Sequence, residues 1–181
     1  MRRKSTLYGL VAQFDDAEDL VVAAQKTLDA GYSGKHLDAF TPFPVHGLPE
    51  AIGFEESKVP WIIFLSGCAG AAAGVGLQYY VSVMAYQLNV GGRPFFSWPL
   101  FIPVTFETTV LFAAFGATFG MLALNGLPKP YDPIFNTPNF ERASQDKFFL
   151  AIESGDPNFD LGKTKAFMDT LGAEAVSEVE R

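Results

Sequence analysis

The sequence predicts an α+β ferredoxin-like cytoplasmic domain, assembled from the two ends of the chain, with a two-helix transmembrane hairpin inserted between them. Three observations lead to that class. Of the 181 residues, those from Val59 to Gly92 include no charged side chain. From Pro94 to Pro128 only Glu107 is charged, and Arg93 alone separates the two stretches. The flanks, by contrast, are polar and acidic, with six basic and nine acidic residues before Val59 and six and ten after Pro128. Each flank also reads as strand, helix, strand, so two halves too short to bury an apolar face alone can share one sheet.

Residues 1–56 are read as the first half and its connector. TLYGLVAQF (6–14) is β-prone. In the helix that follows, Asp15 and Glu18 have capping-box spacing, Ala17, Leu20, Ala24 and Leu28 form an apolar stripe, and Gly31 suits the position just past the C-terminus. KHLDAFTPF (35–43) is the second strand, and Pro42, Pro44 and Pro49 make 41–50 a constrained connector. The leading MRRK is followed by a short apolar stretch and then Asp15, Asp16, Glu18 and Asp19, unlike a secretory signal. The N-terminus is therefore expected on the cytoplasmic side.

A bilayer core takes about 20 mainly apolar residues as helix. Residues 57–88 and 98–124 each satisfy that, joined by an outer turn at 89–97. Lys58 and Lys129 flank the spans, which agrees with both termini cytoplasmic in a multi-pass chain. Tyr79, Tyr80, Tyr86, Phe95, Phe96 and Trp98 gather towards the turn, as interfacial aromatics do. Residues 125–145, rich in Pro and Gly, read as a linker whose Tyr131, Phe135 and Phe140 pack on the chain's own domain or on a neighbouring subunit. Residues 146–181 repeat the first half: DKFFLAIES as strand, a helix with Leu161, Thr164, Phe167 or Met168, and Leu171 at helical spacing, Gly172 as its stop, and AEAVSEVE as the last strand.

Glu107 is the residue that asks for a role. An ionisable group inside a span is expensive and marks a partner or a use. It lies eight residues beyond Pro99, about 12 Å along a helix. The expected placement is against a partner helix or a polar cavity, with Thr105, Thr108 or Thr109 assisting locally. The roles open to it are structural hydrogen bonding or packing, and a polar path for protons. Ser66, Gly70 and Gly74 on the first span, and Gly116 with Gly120 on the second, have the small-xxx-small spacing that lets helices approach closely.

Several classes are excluded or disfavoured. The formal net charge of -7 and the lack of a basic patch argue against a nucleic-acid surface, and mean hydropathy of only +0.16 hides the hairpin. Cys68 is the single cysteine, so no intrachain disulfide can form. With only His36 and His46 beside it, both read as surface or connector residues, a zinc, haem or iron–sulfur centre built by this chain is disfavoured. GCAGAAAGVG lacks the Gly-Lys-Ser/Thr of a nucleotide loop. No catalytic residue emerges, and two spans enclose too little for a channel or transporter without several copies.

YGLVAQFDDAEDLVVAAQKTLDAGY, TPFPVHGLPEAIG and WPLFIPVTFETTVLFAAFGATFGML together resemble the ActD subunit of bacterial alternative complex III, with FIPVTFE the most specific part. The resemblance covers nearly the whole chain. It implies an accessory integral-membrane subunit of a respiratory or photosynthetic quinol:electron-acceptor oxidoreductase. The implied partners are multispanning quinol-oxidising subunits and multihaem cytochrome and iron–sulfur subunits. Haem c and iron–sulfur clusters are thereby placed in those partners, with no cofactor in this chain. The competing expectation is a stand-alone two-span membrane adaptor that recruits a cytoplasmic partner.

Overall fold

Continuous apolar runs in the two flanks build the centre of one sheet. In the computed structural model, which describes residues 7–181, β1 (Leu7–Phe14) leads into α1 (Ala17–Asp29) and β2 (Leu37–Phe40). After the short α2 (Leu48–Ala51) come α3 (Val59–Tyr79) and α4 (Trp98–Leu124), then β3 (Phe148–Glu153), α5 (Leu161–Asp169) and β4 (Ala175–Glu180). Thr6, expected at the start of β1, lies outside the described residues. The chain divides into two compact units, one formed by residues up to Glu55 together with Tyr131–Arg181, the other by Glu56–Pro130.

The first unit is a four-stranded sheet in the order β2-β3-β1-β4, with every neighbouring pair antiparallel. Its two central strands come from opposite ends of the chain, Leu10 facing Ile152 and Ala12 facing Leu150. One face carries Leu10, Ala12, Phe14, Leu150 and Ile152 against Leu20, Ala23 and Ala24 of α1 and Met168 of α5. Removing the Leu, Ile, Phe and Met side chains among them from water stabilises by about 1.5–3 kcal/mol each. The register shifts between Leu7 and Gly9. That irregularity brings Tyr8 to the same side as Val11, away from the helices. At Gly9 a Cβ would sit 3.0 Å from the Glu153 Cα, so the two strands meet where only glycine fits.

The opposite face is not left to solvent. Tyr8, Val11, Phe149, Ala151 and Val179 are covered by Ile134, Phe140 and Ala143. The last three sit on two 3₁₀ turns, Pro133–Asn136 and Phe140–Ser144, within the stretch expected as a linker. Phe140 meets Phe149 at 5.4 Å, Phe40 at 5.1 Å and Phe135 at 5.5 Å between ring centroids. Of the two placements open to the linker aromatics, Phe140 therefore packs on the chain's own sheet, while Tyr131 and Phe135 remain exposed. This second layer explains why β1 and β3 are apolar on both faces.

Three local expectations need correction. The α1 cap is Asp16, not Asp15, and it makes no side-chain cap bond; the Asp15 carboxylate pairs with Lys147 instead. The capping box is thus not formed. The buried stripe of α1 is Leu20, Ala23, Ala24 and Thr27, with Leu28 only half buried. The second strand spans only Leu37–Phe40, since Gly34–His36 forms a 3₁₀ turn before it and Pro42, which has no N–H to donate, follows it. Gly31, at φ +92°, has the left-handed backbone expected of a helix stop.

The second unit is a helical hairpin. Helix continues past α3 as a π-type turn at Tyr80–Ala85, so residues 86–97 make the connection. Val59–Ala85 and Trp98–Leu124 are long and apolar enough to cross a membrane, and their most hydropathic windows are only 17% and 6% buried within the chain. A core helix of a soluble protein would be covered on most sides. These are not, which supports a membrane location.

Candidate functional site

Glycine sets the approach of α3 to α4. A Cβ at Gly70 would lie 2.5 Å from the Thr108 carbonyl oxygen and 2.8 Å from the Phe112 Cβ. At Gly74 it would lie 3.1 Å from the Thr105 Cα and also strike the Thr108 hydroxyl. From the other helix, Gly116 faces Ser66, with only 2.6 Å for a Cβ against the Ser66 Cβ, and Gly120 faces Ile62 at 2.9 Å. All five small residues singled out by spacing thus lie along one seam within the hairpin. In a bilayer, where apolar surfaces gain little from meeting each other, such close packing drives association.

One residue of the seam escaped the sequence reading. Gln78 donates from Nε2 to the Phe101 carbonyl at 3.1 Å and to the Thr105 Oγ1 at 3.2 Å, both across the hairpin, and to the Gly74 carbonyl at 3.0 Å. Its signal was present in the sequence: an amide one helical turn beyond Gly74 in a span without charge. The three threonines share this side. Thr108 donates to the carbonyls of Val104 and Thr105, both at 3.0 Å, and Thr109 donates to Thr105 O at 2.6 Å.

Glu107 is not with them. At 100° per residue it stands about 200° round α4 from Thr105 and about 100° from Thr108. It is exposed, and makes no hydrogen bond or ion pair among the described residues. The threonine hydroxyls donate to helix carbonyls, and the carboxylate faces outward from the seam. The structure therefore brings together Ser66, Gly70, Gly74, Thr105, Thr108, Thr109, Gly116 and Gly120 and leaves Glu107 outside the seam.

The sheet unit carries two charged clusters of its own. The Lys147 side chain is buried where β1, β3 and β4 converge, paired with Asp15 and, at 2.6 Å, with Glu174. Gln13 donates to the same Glu174 carboxylate at 2.8 Å. The bond to Asp15, then that to Glu174, raises Lys147 above its ordinary range, and the Lys147 and Gln13 bonds lower Glu174. At the other end of the β1–β3 ladder, His36 Nδ1 lies 3.1 Å from Glu153, and the Tyr8 hydroxyl donates to the other Glu153 oxygen at 3.4 Å. Burial pushes the Tyr8 phenol upward, reinforced by the Glu153 charge. His46 is exposed, as is Cys68 on α3. Among the described residues no group of three or more His, Cys, Asp or Glu is arranged to hold a metal ion.

No nucleophile with a base emerges from these clusters; they join strands, and the hairpin joins helices. Among curated proteins none gives a significant match to this chain. The family described as Alternative complex III, ActD subunit, matches residues 8–178, which takes in both sheet halves and the whole hairpin. With the match extending over nearly its full length, the chain belongs to the ActD family of alternative complex III subunits.

Proposed function

We propose that this chain is an accessory, non-catalytic membrane subunit of a quinol:electron-acceptor oxidoreductase, acting in assembly of the complex. The family match across both units carries this reading. On this reading the sheet unit is a ferredoxin-like domain on the cytoplasmic side with both termini, and the hairpin spans the inner membrane. Quinol oxidation and the haem and iron–sulfur groups belong to partner subunits.

Glu107 supports the assembly role in particular. An intramembrane carboxylate without a partner in its own hairpin is stabilised by a hydrogen-bond donor or cation from another helix. On this reading α4 uses one side for α3 and the other for a multispanning partner. A proton path through Glu107 is the second role open to it.

The test is purification of the tagged chain from its native membrane in mild detergent, with a mass-spectrometric inventory. Co-purification with multihaem cytochrome and iron–sulfur subunits is expected. A stable chain recovered with neither would support the stand-alone adaptor instead. Within the complex, Glu107→Gln should assemble and turn over quinol almost normally, because the amide keeps size and hydrogen bonding, while Glu107→Ala should lose subunits. If both variants assemble fully but lose proton movement, the carboxylate serves the proton path; normal behaviour in both rejects either role.

A further inference from the structure

The turn end of the hairpin contains two cavities that Glu107 does not enter, the second bordering the seam at Phe101, Thr105 and Thr109. One is a cup of about 220 Å³ lined by Ser82, Tyr86, Arg93 and Phe95. The other is a groove of about 350 Å³ lined by Val75, Phe96, Trp98, Phe101, Ile102 and Phe106, among others. Phe95 belongs to the cup and Phe96, the next residue, to the groove. Phe96 is itself held edge-on between Tyr79 and Phe101, 5.8 Å from each. The groove wall is therefore built from packed rings.

Their chemistry differs in a complementary way. Arg93 is the only charged residue between Val59 and Glu107, and its side chain makes no ion pair among the described residues. The cup thus offers a guanidinium with two hydroxyls, a combination suited to a phosphate. The groove runs along the turn-side part of α4 and is almost wholly apolar. Trp98, which lines it at the start of α4, is of the residue type enriched at membrane interfaces.

We propose that this end of the hairpin binds one anionic phospholipid, its phosphate in the Arg93 cup and one acyl chain in the groove along α4. The proposal rests on the membrane reading of the hairpin. The unmatched positive charge selects a lipid with net negative charge over a zwitterionic one. A partner helix, the other occupant such a groove could take, would leave the Arg93 cup unfilled.

The chain has two tryptophans, Trp61 and Trp98, so a Trp61→Phe variant leaves the groove residue as the sole emitter. The full-length variant is reconstituted in phosphatidylcholine vesicles containing a small fraction of either brominated phosphatidylglycerol or brominated phosphatidylcholine. Bromine on an acyl chain quenches a tryptophan it touches. One basic residue at an anionic surface contributes about 1 kcal/mol, so phosphatidylglycerol should occupy the site about fivefold better. Arg93→Gln should equalise the two lipids, and Arg93→Lys should retain most of the preference. Equal quenching by both lipids in the parent overturns the proposal, as does a preference that survives Arg93→Gln. Absence of quenching by either lipid also overturns it. In that case extraction by alkaline carbonate separates the causes: a chain that stays with the vesicles refutes only the lipid site, and one that is released refutes the membrane reading too.

Discussion

Replacing Gly70 with alanine tests the seam with the smallest possible perturbation. The added Cβ would lie 2.5 Å from the Thr108 carbonyl oxygen, whereas ordinary contact starts near 3.4 Å, a shortfall of about 0.9 Å. The obstructing atom is backbone, so no rotamer change relieves it. The helices must separate locally, and a gap of about 0.5–1 Å forfeits a quarter to a half of each atom pair's attraction. Overpacking of this kind destabilises by about 1–3 kcal/mol, or roughly 5- to 150-fold in the unfolding constant. Gly67 is the internal control, because its Cβ would find Ala113 and Thr109 carbons at a comfortable 3.7 Å. The assay is titration of the full chain in mild detergent with dodecyl sulfate. Helix separation is read by energy transfer between labels at Cys68 and a cysteine replacing exposed Phe115. Gly70→Ala should unfold at lower dodecyl sulfate and Gly67→Ala should match the parent. Identical midpoints for all three would refute the close-contact reasoning.

Gln78→Leu should lower hairpin stability in the same assay by about 0.6–2 kcal/mol, the range for hydrogen bonds between membrane helices; an unchanged midpoint would mean that the amide contributes nothing across the seam. In the sheet unit, Leu150 is fully buried beneath the helices. Leu150→Ala should lower the opening free energy seen by amide exchange in β1 and β3 by about 2–5 kcal/mol, and protection equal to the parent would contradict a shared core. Because the Lys147 and Gln13 bonds hold Glu174 below its ordinary value of 4.5, its stabilising contribution is complete above that pH and is lost as pH falls through the lower folded value. Glu174→Gln should therefore flatten the acid limb of amide protection in the sheet; an unaltered limb would place the acid sensitivity elsewhere.

Much of this arrangement is legible because its signals are periodic or compositional. The charge-free stretches announce the spans, and the two strand–helix–strand outlines suggest one sheet shared by distant ends. The small residues at fourfold spacing mark the seam. Other features depend on what lies opposite a residue, which no single sequence records. Asp15 and Glu18 have capping spacing, yet Asp15 is drawn to Lys147, 132 positions away. Proline and glycine make residues 125–145 look like a tether, but Ile134, Phe140 and Ala143 cover a sheet face whose second apolar side is visible only once β1 and β3 are paired. Glu107 and the nearby threonines are close in sequence, and helix rotation sends them to different sides of α4. Gln78 gives no charge signal in the sequence, although in a span an unpaired amide is also unfavourable.

The central claim is that one sheet domain is interrupted in sequence by a hairpin that crosses the membrane twice. It is tested most directly by labelling single cysteines in sealed vesicles with an impermeant thiol reagent. In a Cys68→Ser background, cysteines replace Glu18 in α1, Val90 in the turn and Glu141 in the second layer of the sheet, all exposed positions. The account predicts that positions 18 and 141 react from the same side of the membrane and position 90 only from the other. Positions 18 and 141 reacting from opposite sides would contradict the shared sheet, and position 90 reacting together with both would contradict the membrane hairpin.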